Sequence, residues 1–225
     1  MSARIEHADP LALLRELPSG WAQSCITSPP IDDLPAQTLA VLGEVRRVLR
    51  HDGTLWLLCQ RKQPLLAALC DQDWRPQPTP EWSRQLAPRW GASSVLLLLS
   101  KERRYFHEQL APAPPGPAVC VSRQRRRAEG CLCGREQHVA LLRRCILAGS
   151  APLACGICGA PFGRARPRSP ATGTRQPTCG HNDPAGRCLL LDPFCSPAAA
   201  TAELAQRHGR SFLGITSGAD RSVSR

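Results

Sequence analysis

Residues 25–31, with the sequence Cys-Ile-Thr-Ser-Pro-Pro-Ile, and residues 189–194, with the sequence Leu-Leu-Leu-Asp-Pro-Phe, decide the fold of this chain. Each is an apolar run that stops at a polar or acidic residue followed by proline. This pattern is typical of a buried parallel strand that ends at a functional loop. Ligands of open α/β sheets bind in the crevice beyond the carboxyl ends of the strands. We therefore expect Ser28 and Asp192 to face one pocket.

The rest of the chain alternates between predicted strands and predicted helices. A first strand begins near Ile5, and further strands are expected at 21–27, 54–59, 93–100, 189–191 and 211–215. Helices are expected at 10–17, 34–49, 65–69, 135–148 and 198–206. A turn is expected at 51–53, which has the sequence His-Asp-Gly. Strands that alternate with helices predict an α/β fold built on a mainly parallel sheet.

Length and composition limit the classes of protein to which the chain can belong. Its 225 residues can bury one full core and leave room for a small insert. The apolar runs, such as 95–99, are far too short to span a membrane, and the first residues contain no apolar signal core. Twelve cysteines are too few for a disulfide scaffold of this length. We expect a cytoplasmic protein with no membrane partner, whose thiols are reduced and available to a metal.

The formal net charge of +11 favours a polyanionic partner. Nearly all the basic residues are arginine, since the only lysines are Lys62 and Lys101. Arginine binds phosphate and guanine through two parallel hydrogen bonds. A GC-rich genome would produce the same bias, so charge alone supports nucleic-acid binding only weakly.

Four potential metal ligands lie in the stretch 151–187, which is rich in glycine, proline and arginine. Cys155 and Cys158 form a Cys-x-x-Cys pair on a glycine-containing turn, and Cys179 and His181 follow about twenty residues later. Two such pairs can hold one Zn²⁺ tetrahedrally, and four protein ligands would make the site structural. Cys188 is an alternative fourth ligand. A chance cluster of thiols in a loop is the competing interpretation.

The motifs at 25–31 and 189–194, in this order, resemble those of the amino-group DNA methyltransferases of the permuted (beta) type. Members of this family use S-adenosylmethionine, and they carry a Ser-Pro-Pro-Tyr catalytic loop before an Asp-Pro-Phe-x-Gly-x-Gly cofactor loop. Further segments are similar to the family in the same order, at 9–18, 51–57, 66–74, 94–101 and 138–148. The resemblance implies a Rossmann-like S-adenosylmethionine methyltransferase sheet, here with a small zinc-ribbon-like insert.

The resemblance also implies roles for individual residues. The catalytic loop would be Ser28, Pro29, Pro30 and Ile31, in which Ser28 and the Pro29 carbonyl accept hydrogen bonds from an exocyclic amine of a flipped base. Residues that would bind the cofactor are Asp9, Thr27, His138, Asp192, Pro193, Phe194, Ser196, Ala198 and Thr216. The implied reaction is methylation of cytosine N4 or adenine N6 in double-stranded DNA, as in restriction–modification. Serine before the prolines favours cytosine without excluding adenine.

Both loops depart from the family pattern. Ile31 stands where the family has an aromatic that stacks on the base, and it has no π-face. Ser196 and Ala198 stand at the two glycine positions of the cofactor loop, where backbone must approach the ligand. Thr216 stands where an acid would bind the ribose hydroxyls. The alternative function is therefore a catalytically inactive methyltransferase-fold protein that acts as a DNA-binding or partner subunit.

Composition shifts, together with what the resemblance implies, predict how the chain is divided. Residues 1–110 would form the catalytic half and 188–225 the cofactor half of the methyltransferase domain. Between them we expect a basic linker or reduced target-recognition region at 111–134, a cofactor-flanking helix at 135–150 and the zinc-binding insert at 151–187. The residues expected to bind DNA are Arg123, Arg125, Arg126 and Arg127. The sequence leaves the oligomeric state open.

Overall fold

A computed structural model describes residues 3–29, 36–59, 63–86, 95–108, 110, 133–155, 157–164, 175–177, 179–181, 188–196 and 200–217. The strands in these ranges are β1 (Ala3–His7), β2 (Ala22–Thr27), β3 (Leu49–Cys59), β4 (Arg75–Gln77), β5 (Val95–Ser100), β6 (Phe162–Arg164), β7 (Arg175–Pro177), β8 (Leu189–Asp192) and β9 (Ser211–Thr216). The helices are α1 (Pro10–Glu16), α2 (Ala36–Val48), α3 (Gln63–Asp71), α4 (Glu81–Leu86), α5 (Cys133–Gly149) and α6 (Ala200–Arg207).

Seven strands form one sheet in the order β1-β9-β8-β2-β3-β5-β4. The first five of these run parallel to one another, and β5 is antiparallel to both of its neighbours. Strands β6 and β7 form a separate antiparallel hairpin within the predicted insert. The expectation of an α/β fold with a mainly parallel sheet is confirmed.

The strand order changes direction between β8 and β2, which are neighbours in the sheet. From β8 the chain passes through α6 to β9 on one side, whereas from β2 it passes through α2 to β3 on the other. Such a switch point opens a crevice at the carboxyl ends of the two strands, where ligands of α/β proteins bind. Cys25 is paired with Leu191, so Thr27 and Asp192 both lie at this crevice.

In the part of the chain that the structure describes, three helices cover each face of the sheet. Leu55 and Leu57 of β3 belong to the core under α1, α2 and α3, whereas Trp56 and Leu58 belong to the core under α4, α5 and α6. Successive residues of a strand point to opposite faces, so a strand that is covered on both faces must be apolar throughout. This requirement explains the continuous apolar runs that predict β3, β5 and β8.

Helix α5 ends in direct contact with the sheet. A Cβ atom on Gly149 would lie 2.4 Å from Trp56 Nε1 and 2.8 Å from Ser24 Oγ. Trp56 Nε1 donates a 3.1 Å hydrogen bond to Thr54 Oγ1, and Ser24 Oγ lies 3.0 Å from the same oxygen. Only glycine fits at this position, because the buried polar atoms of the sheet occupy the space of a side chain.

Three local features differ from the sequence-based expectation. Strand β3 begins at Leu49 and contains the residues predicted as a turn at 51–53, so that prediction is wrong. Between the paired positions Ala22–Leu49 and Ser24–Thr54, strand β2 advances by two residues and strand β3 by five. The three extra residues of β3 form a bulge. Strand β4 and helix α4 were not predicted, because three residues around Pro76 and six residues after Pro80 are too short to show a period.

Within the described part of the chain, no helix is both long enough and apolar enough to cross a membrane.

Candidate functional site

The two quoted motifs meet at the switch point through their side chains. Thr27 Oγ1 donates a 2.6 Å hydrogen bond to Asp192 Oδ1, across 165 residues of sequence. The backbone N–H of Phe194 donates to the same oxygen at 3.2 Å, which tightens the turn after β8. Both donors described here reach Oδ1, so the second carboxylate oxygen keeps its lone pairs for a ligand.

Asp192 has an unusual acidity for an aspartate. Burial raises its pKa to about 6, although the hydrogen bonds from Thr27 and from the Phe194 backbone lower it. Its negative charge adds to the effect of burial in raising the pKa of the thiols of Cys25 and Cys195. Near neutral pH the Asp192 carboxylate is therefore ionised and lies beside two neutral thiols, an arrangement that suits a cationic ligand group.

Ser28 follows β2 and is exposed at the crevice. Its hydroxyl donates a 3.0 Å hydrogen bond to the carbonyl of Leu58, near the end of the neighbouring strand β3. A serine hydroxyl has one proton and two lone pairs, so this bond leaves Oγ free to accept hydrogen bonds. Pro29 is buried beside it. Pro30 and Ile31 lie outside the described residues.

The loop after β8 continues along the same edge of the sheet. Pro193 is buried and Phe194 packs against the core, while Ser196 is exposed. The backbone N–H of Cys195 donates to the carbonyl of Ile215, which holds the loop against β9. A Cβ atom on Gly214 would lie 2.5 Å from Cys195 Sγ, so glycine is required where this loop crosses the strand. Ala198 lies outside the described part of the chain.

Thr216 and Asp9 extend the row of predicted cofactor residues to β9 and β1. Thr216 is buried at the end of β9, and its carbonyl accepts a hydrogen bond from the N–H of Ala8. Asp9 is exposed and caps α1 by accepting a 2.7 Å hydrogen bond from the N–H of Ala12. Gln37 Nε2 donates to the second Asp9 oxygen at 3.5 Å. These contacts account for an aspartate at position 9 through its role as a helix cap, without the need for a bound ligand.

The structure thus brings Asp9, Thr27, Ser28, Asp192 and Thr216 to the carboxyl ends of four adjacent strands. His138 lies within α5, and its side chain is outside the described set. The four arginines predicted to contact DNA also fall outside the described residues; they are Arg123, Arg125, Arg126 and Arg127.

The predicted metal ligands converge in a second place. One ligand atom from each of Cys155, Cys158, Cys179 and His181 lies within 4.8 Å of all the others. His181 Nδ1 is 3.4 Å from Cys158 Sγ. Cys188 is buried elsewhere, with its thiol directed at the Leu153 carbonyl 3.6 Å away. Of the two alternatives for the fourth ligand, the geometry favours His181.

A tight turn shapes the Cys-x-x-Cys pair. The N–H of Gly159 donates to the carbonyl of Cys155, and Gly159 has a φ of +67°, a conformation that suits glycine. Burial raises the pKa of the Cys155 thiol, but hydrogen bonds from the backbone of Cys158 and Ile157 outweigh it and lower the pKa to about 7. A thiol of this acidity supplies the thiolate that Zn²⁺ requires.

The sequence did not reveal how this turn is attached to the sheet. Arg50, in the bulge of β3, donates a 2.5 Å hydrogen bond to the Cys158 carbonyl and forms a 3.2 Å ion pair with Asp52. The Asp52 carbonyl also accepts a hydrogen bond from the N–H of Phe106. Arg50 and Cys158 are 108 residues apart, and no local pattern marks arginine as a partner of a distant carbonyl.

Comparison with known proteins identifies the fold. No protein-family model matches the chain, and no curated protein sequence matches it. Among solved structures, the M1.HpyAVI complex with SAM has a TM-score of 0.54 at 13% identity, covering 96% of this chain and 94% of that one. TTHA0409 of Thermus thermophilus, assigned as a DNA modification methylase, has a TM-score of 0.54 at 16% identity, covering 96% and 90%.

The cytosine-N4-specific PvuII DNA methyltransferase is a third similar structure. Its TM-score is 0.55 at 12% identity, and the match covers 100% of this chain and 89% of that one. The expected Rossmann-like methyltransferase sheet is therefore confirmed. At these identities the likeness establishes the fold.

Proposed function

Because this chain has the fold of the amino-group DNA methyltransferases, we propose that it transfers a methyl group from S-adenosylmethionine to an exocyclic amine of DNA, at cytosine N4 or adenine N6. The observation that carries the proposal is the contact between Thr27 and Asp192 at the switch point of the sheet, with Ser28 exposed beside it. These residues come from the two motifs that, in the family, hold the base and the cofactor.

Ser28 would prepare the amine for reaction. The lone pair of an exocyclic amine is delocalised into the base and is a poor nucleophile. Ser28 Oγ gives its own proton to the Leu58 carbonyl, so its lone pairs can accept a hydrogen bond from the amine. Together with the Pro29 carbonyl, it would hold the two N–H groups and direct the lone pair toward the methyl group. S-adenosylmethionine, when bound, supplies that methyl group on a positively charged sulfur.

The cofactor side of the cleft fits S-adenosylmethionine in part. The free oxygen of Asp192 can accept a hydrogen bond from the cofactor's ammonium group, because Thr27 and Phe194 occupy only the other oxygen. Ser196, by contrast, adds a side chain where the family has glycine, and Thr216 supplies no carboxylate for the ribose hydroxyls. The fit is therefore good at the free oxygen of Asp192 and poor at the positions of Ser196 and Thr216.

That mismatch favours a second candidate, an inactive methyltransferase-fold protein that binds DNA or a partner subunit. Loss of a charge-assisted hydrogen bond weakens binding by about 1.5–3 kcal/mol, or roughly ten- to a hundredfold. Under this alternative, the chain keeps the fold and the basic surface but binds the cofactor only at millimolar concentrations. Residues 111–134 would then carry most of the remaining function through their four arginines.

Titration calorimetry with S-adenosylmethionine separates the two candidates. The variant Ser196→Gly/Ala198→Gly/Thr216→Glu should bind about ten- to a hundredfold more tightly than the natural chain. A matched control with Thr216→Gln in place of Thr216→Glu has the same shape without the charge and should recover less affinity. Tight binding by the natural chain would instead show that the departures at Ser196, Ala198 and Thr216 do not impair cofactor binding.

Transfer of a radiolabelled methyl group to DNA tests the reaction itself. If the proposal is right, the natural chain or its glycine-restored variant labels DNA, and Ser28→Ala lowers the rate by about 10²–10³-fold while leaving cofactor binding unchanged. Digestion of the labelled DNA to nucleosides identifies cytosine or adenine as the target. A restored variant that binds both ligands yet labels no DNA would overturn the enzyme proposal and leave the binding role.

A further inference from the structure

We infer that Cys155, Cys158, Cys179 and His181 bind one Zn²⁺, and that this structural centre anchors the insert to the edge of the sheet opposite the cleft. The site is independent of the proposed methyl transfer, because it shares no residue with the cleft. Three features support the inference: the spacing of the ligand atoms, the absence of a position for substrate, and the attachment of the turn to β3.

The spacing of the ligand atoms is close to that of a loaded site. Zinc–sulfur bonds of about 2.3 Å in a tetrahedron separate the ligand atoms by roughly 3.8 Å. The four atoms here lie within 4.8 Å of one another, which is close to that separation. Three thiolates and one imidazole match the Cys₃His set of structural zinc sites. A chance cluster of thiols would not also bring in a histidine from beyond the β6–β7 hairpin.

The donor set leaves no open coordination position. Four protein ligands complete the tetrahedron, whereas catalytic zinc keeps one position for water or substrate. The metal would therefore act by holding the two ends of the insert together. Cys155 and Cys158 precede the β6–β7 hairpin, and Cys179 and His181 follow it, so one ion closes the whole hairpin loop.

The attachment of this closed loop lies far from the cleft. Arg50, which binds the Cys158 carbonyl, lies near the amino-terminal end of β3. Leu58, which binds Ser28, lies near the carboxyl-terminal end of the same strand. Because of the bulge, the span from Leu49 to Leu57 on β3 matches the five residue steps from Ala22 to Thr27 on β2, or about 17 Å at 3.3 Å per residue. Metal loss should therefore loosen the insert and leave the Thr27–Asp192 contact in place.

Elemental analysis of the full chain, purified without chelator, tests the metal directly. We expect one equivalent of zinc, and the variant Cys158→Ser should hold far less. Cys158 is exposed, so its replacement removes a ligand without disturbing the core. Cys70→Ser is the matched control, because Cys70 is also exposed but lies in α3. Less than half an equivalent in the natural chain, or equal zinc in the two variants, would overturn the inference.

Substitution of Co²⁺ for Zn²⁺ identifies the fourth ligand, and its spectrum does not depend on how much zinc is retained during purification. The charge-transfer absorption of thiolate-bound Co²⁺ should persist in His181→Ala with a changed ligand-field spectrum, and Cys188→Ser should be identical to the natural chain. A spectrum altered by Cys188→Ser instead would refute the assignment of His181. Chelation should lower the Tm while S-adenosylmethionine affinity stays unchanged; a parallel loss of affinity would refute the separation of the two sites.

Discussion

Asp192 combines two properties that rarely coexist in one carboxylate. It is buried, yet among the described residues its hydrogen bonds reach a single oxygen and leave the other for a ligand. Desolvation holds its pKa near 6, between the value of an exposed aspartate and neutrality. The same burial that weakens this acid would strengthen its attraction for a cation once the site is closed to water.

The raised pKa of Asp192 predicts a specific dependence of stability on pH. The folded chain binds this proton more tightly than the unfolded chain, so protonation stabilises the fold at low pH. The free energy of unfolding should therefore fall as pH rises from about 4 to about 6, by on the order of 1–3 kcal/mol, and change no further above that range. Cys25 and Cys195 stay neutral throughout, because the pKa of each thiol is raised.

Urea unfolding of the natural chain and of Asp192→Asn at several pH values measures this effect. Other groups titrate in both proteins, so the difference between the two profiles is the relevant quantity. We expect that difference to change by the amount above between pH 4 and pH 6. Parallel profiles would mean that the carboxylate is better solvated than its surroundings indicate.

At the scale of the elements, helix α5 ends in direct contact with the sheet. A Cβ atom on its last residue, Gly149, would collide with the side chains of Trp56, Ser24 and Thr54. The helix can approach the sheet this closely because glycine has no side chain. The Ser150 side chain and carbonyl then accept hydrogen bonds from the buried Arg210 guanidinium, before β9. The end of α5 is thereby tied to the residue before β9, the strand against which the loop after β8 is held.

Two glycine-to-alanine substitutions in helices should have opposite effects. Gly149→Ala inserts a methyl group into occupied space and should destabilise the protein by about 1–3 kcal/mol. Gly43→Ala, in α2, places its methyl group no closer than 3.7 Å to the Gln72 side chain and should stabilise by about 0.5–1 kcal/mol. Thermal or urea unfolding measures both. Equal effects would show that α5 can shift away from the sheet.

The elements also show which features can be predicted from sequence. Ser28 and Asp192 were predicted to share a cleft because parallel strands end at one edge, a rule that needs only strand identity and direction. The contact of Arg50 with Cys158 could not be predicted, since it depends on a three-residue bulge and on partners 108 residues apart. Strand β4 escaped prediction because its three residues include Pro76 and are held in place by β5.

For the whole molecule, the excess of positive charge predicts how DNA binding depends on salt. Each phosphate contact that is lost should reduce the slope of log K against log salt by about 0.9. The variant Arg125→Ala/Arg126→Ala should therefore reduce it by roughly 1.8 if both residues contact phosphate. Fluorescence anisotropy with a short duplex over a range of salt concentrations gives the slope.

Arg103→Ala/Arg104→Ala is the matched control for that measurement. It removes the same charge from two exposed residues that follow β5. Because β5 is antiparallel to its neighbours, these residues lie at the edge of the sheet opposite the cleft. The slope should change little. An equal change in the two variants would indicate binding to overall charge rather than to residues 123–127.

The order of the strands has one more consequence, for how the protein behaves at high concentration. The two outermost strands of a sheet expose unpaired backbone groups that can recruit strands from other molecules. Here β4 is three residues long and its Pro76 lacks an N–H, while β1 carries the paired charges of Arg4 and Glu6. Neither border offers a long, flat, apolar template. The outer strands therefore protect this sheet, which is apolar on both faces, from edge-to-edge pairing with other molecules and so from aggregation.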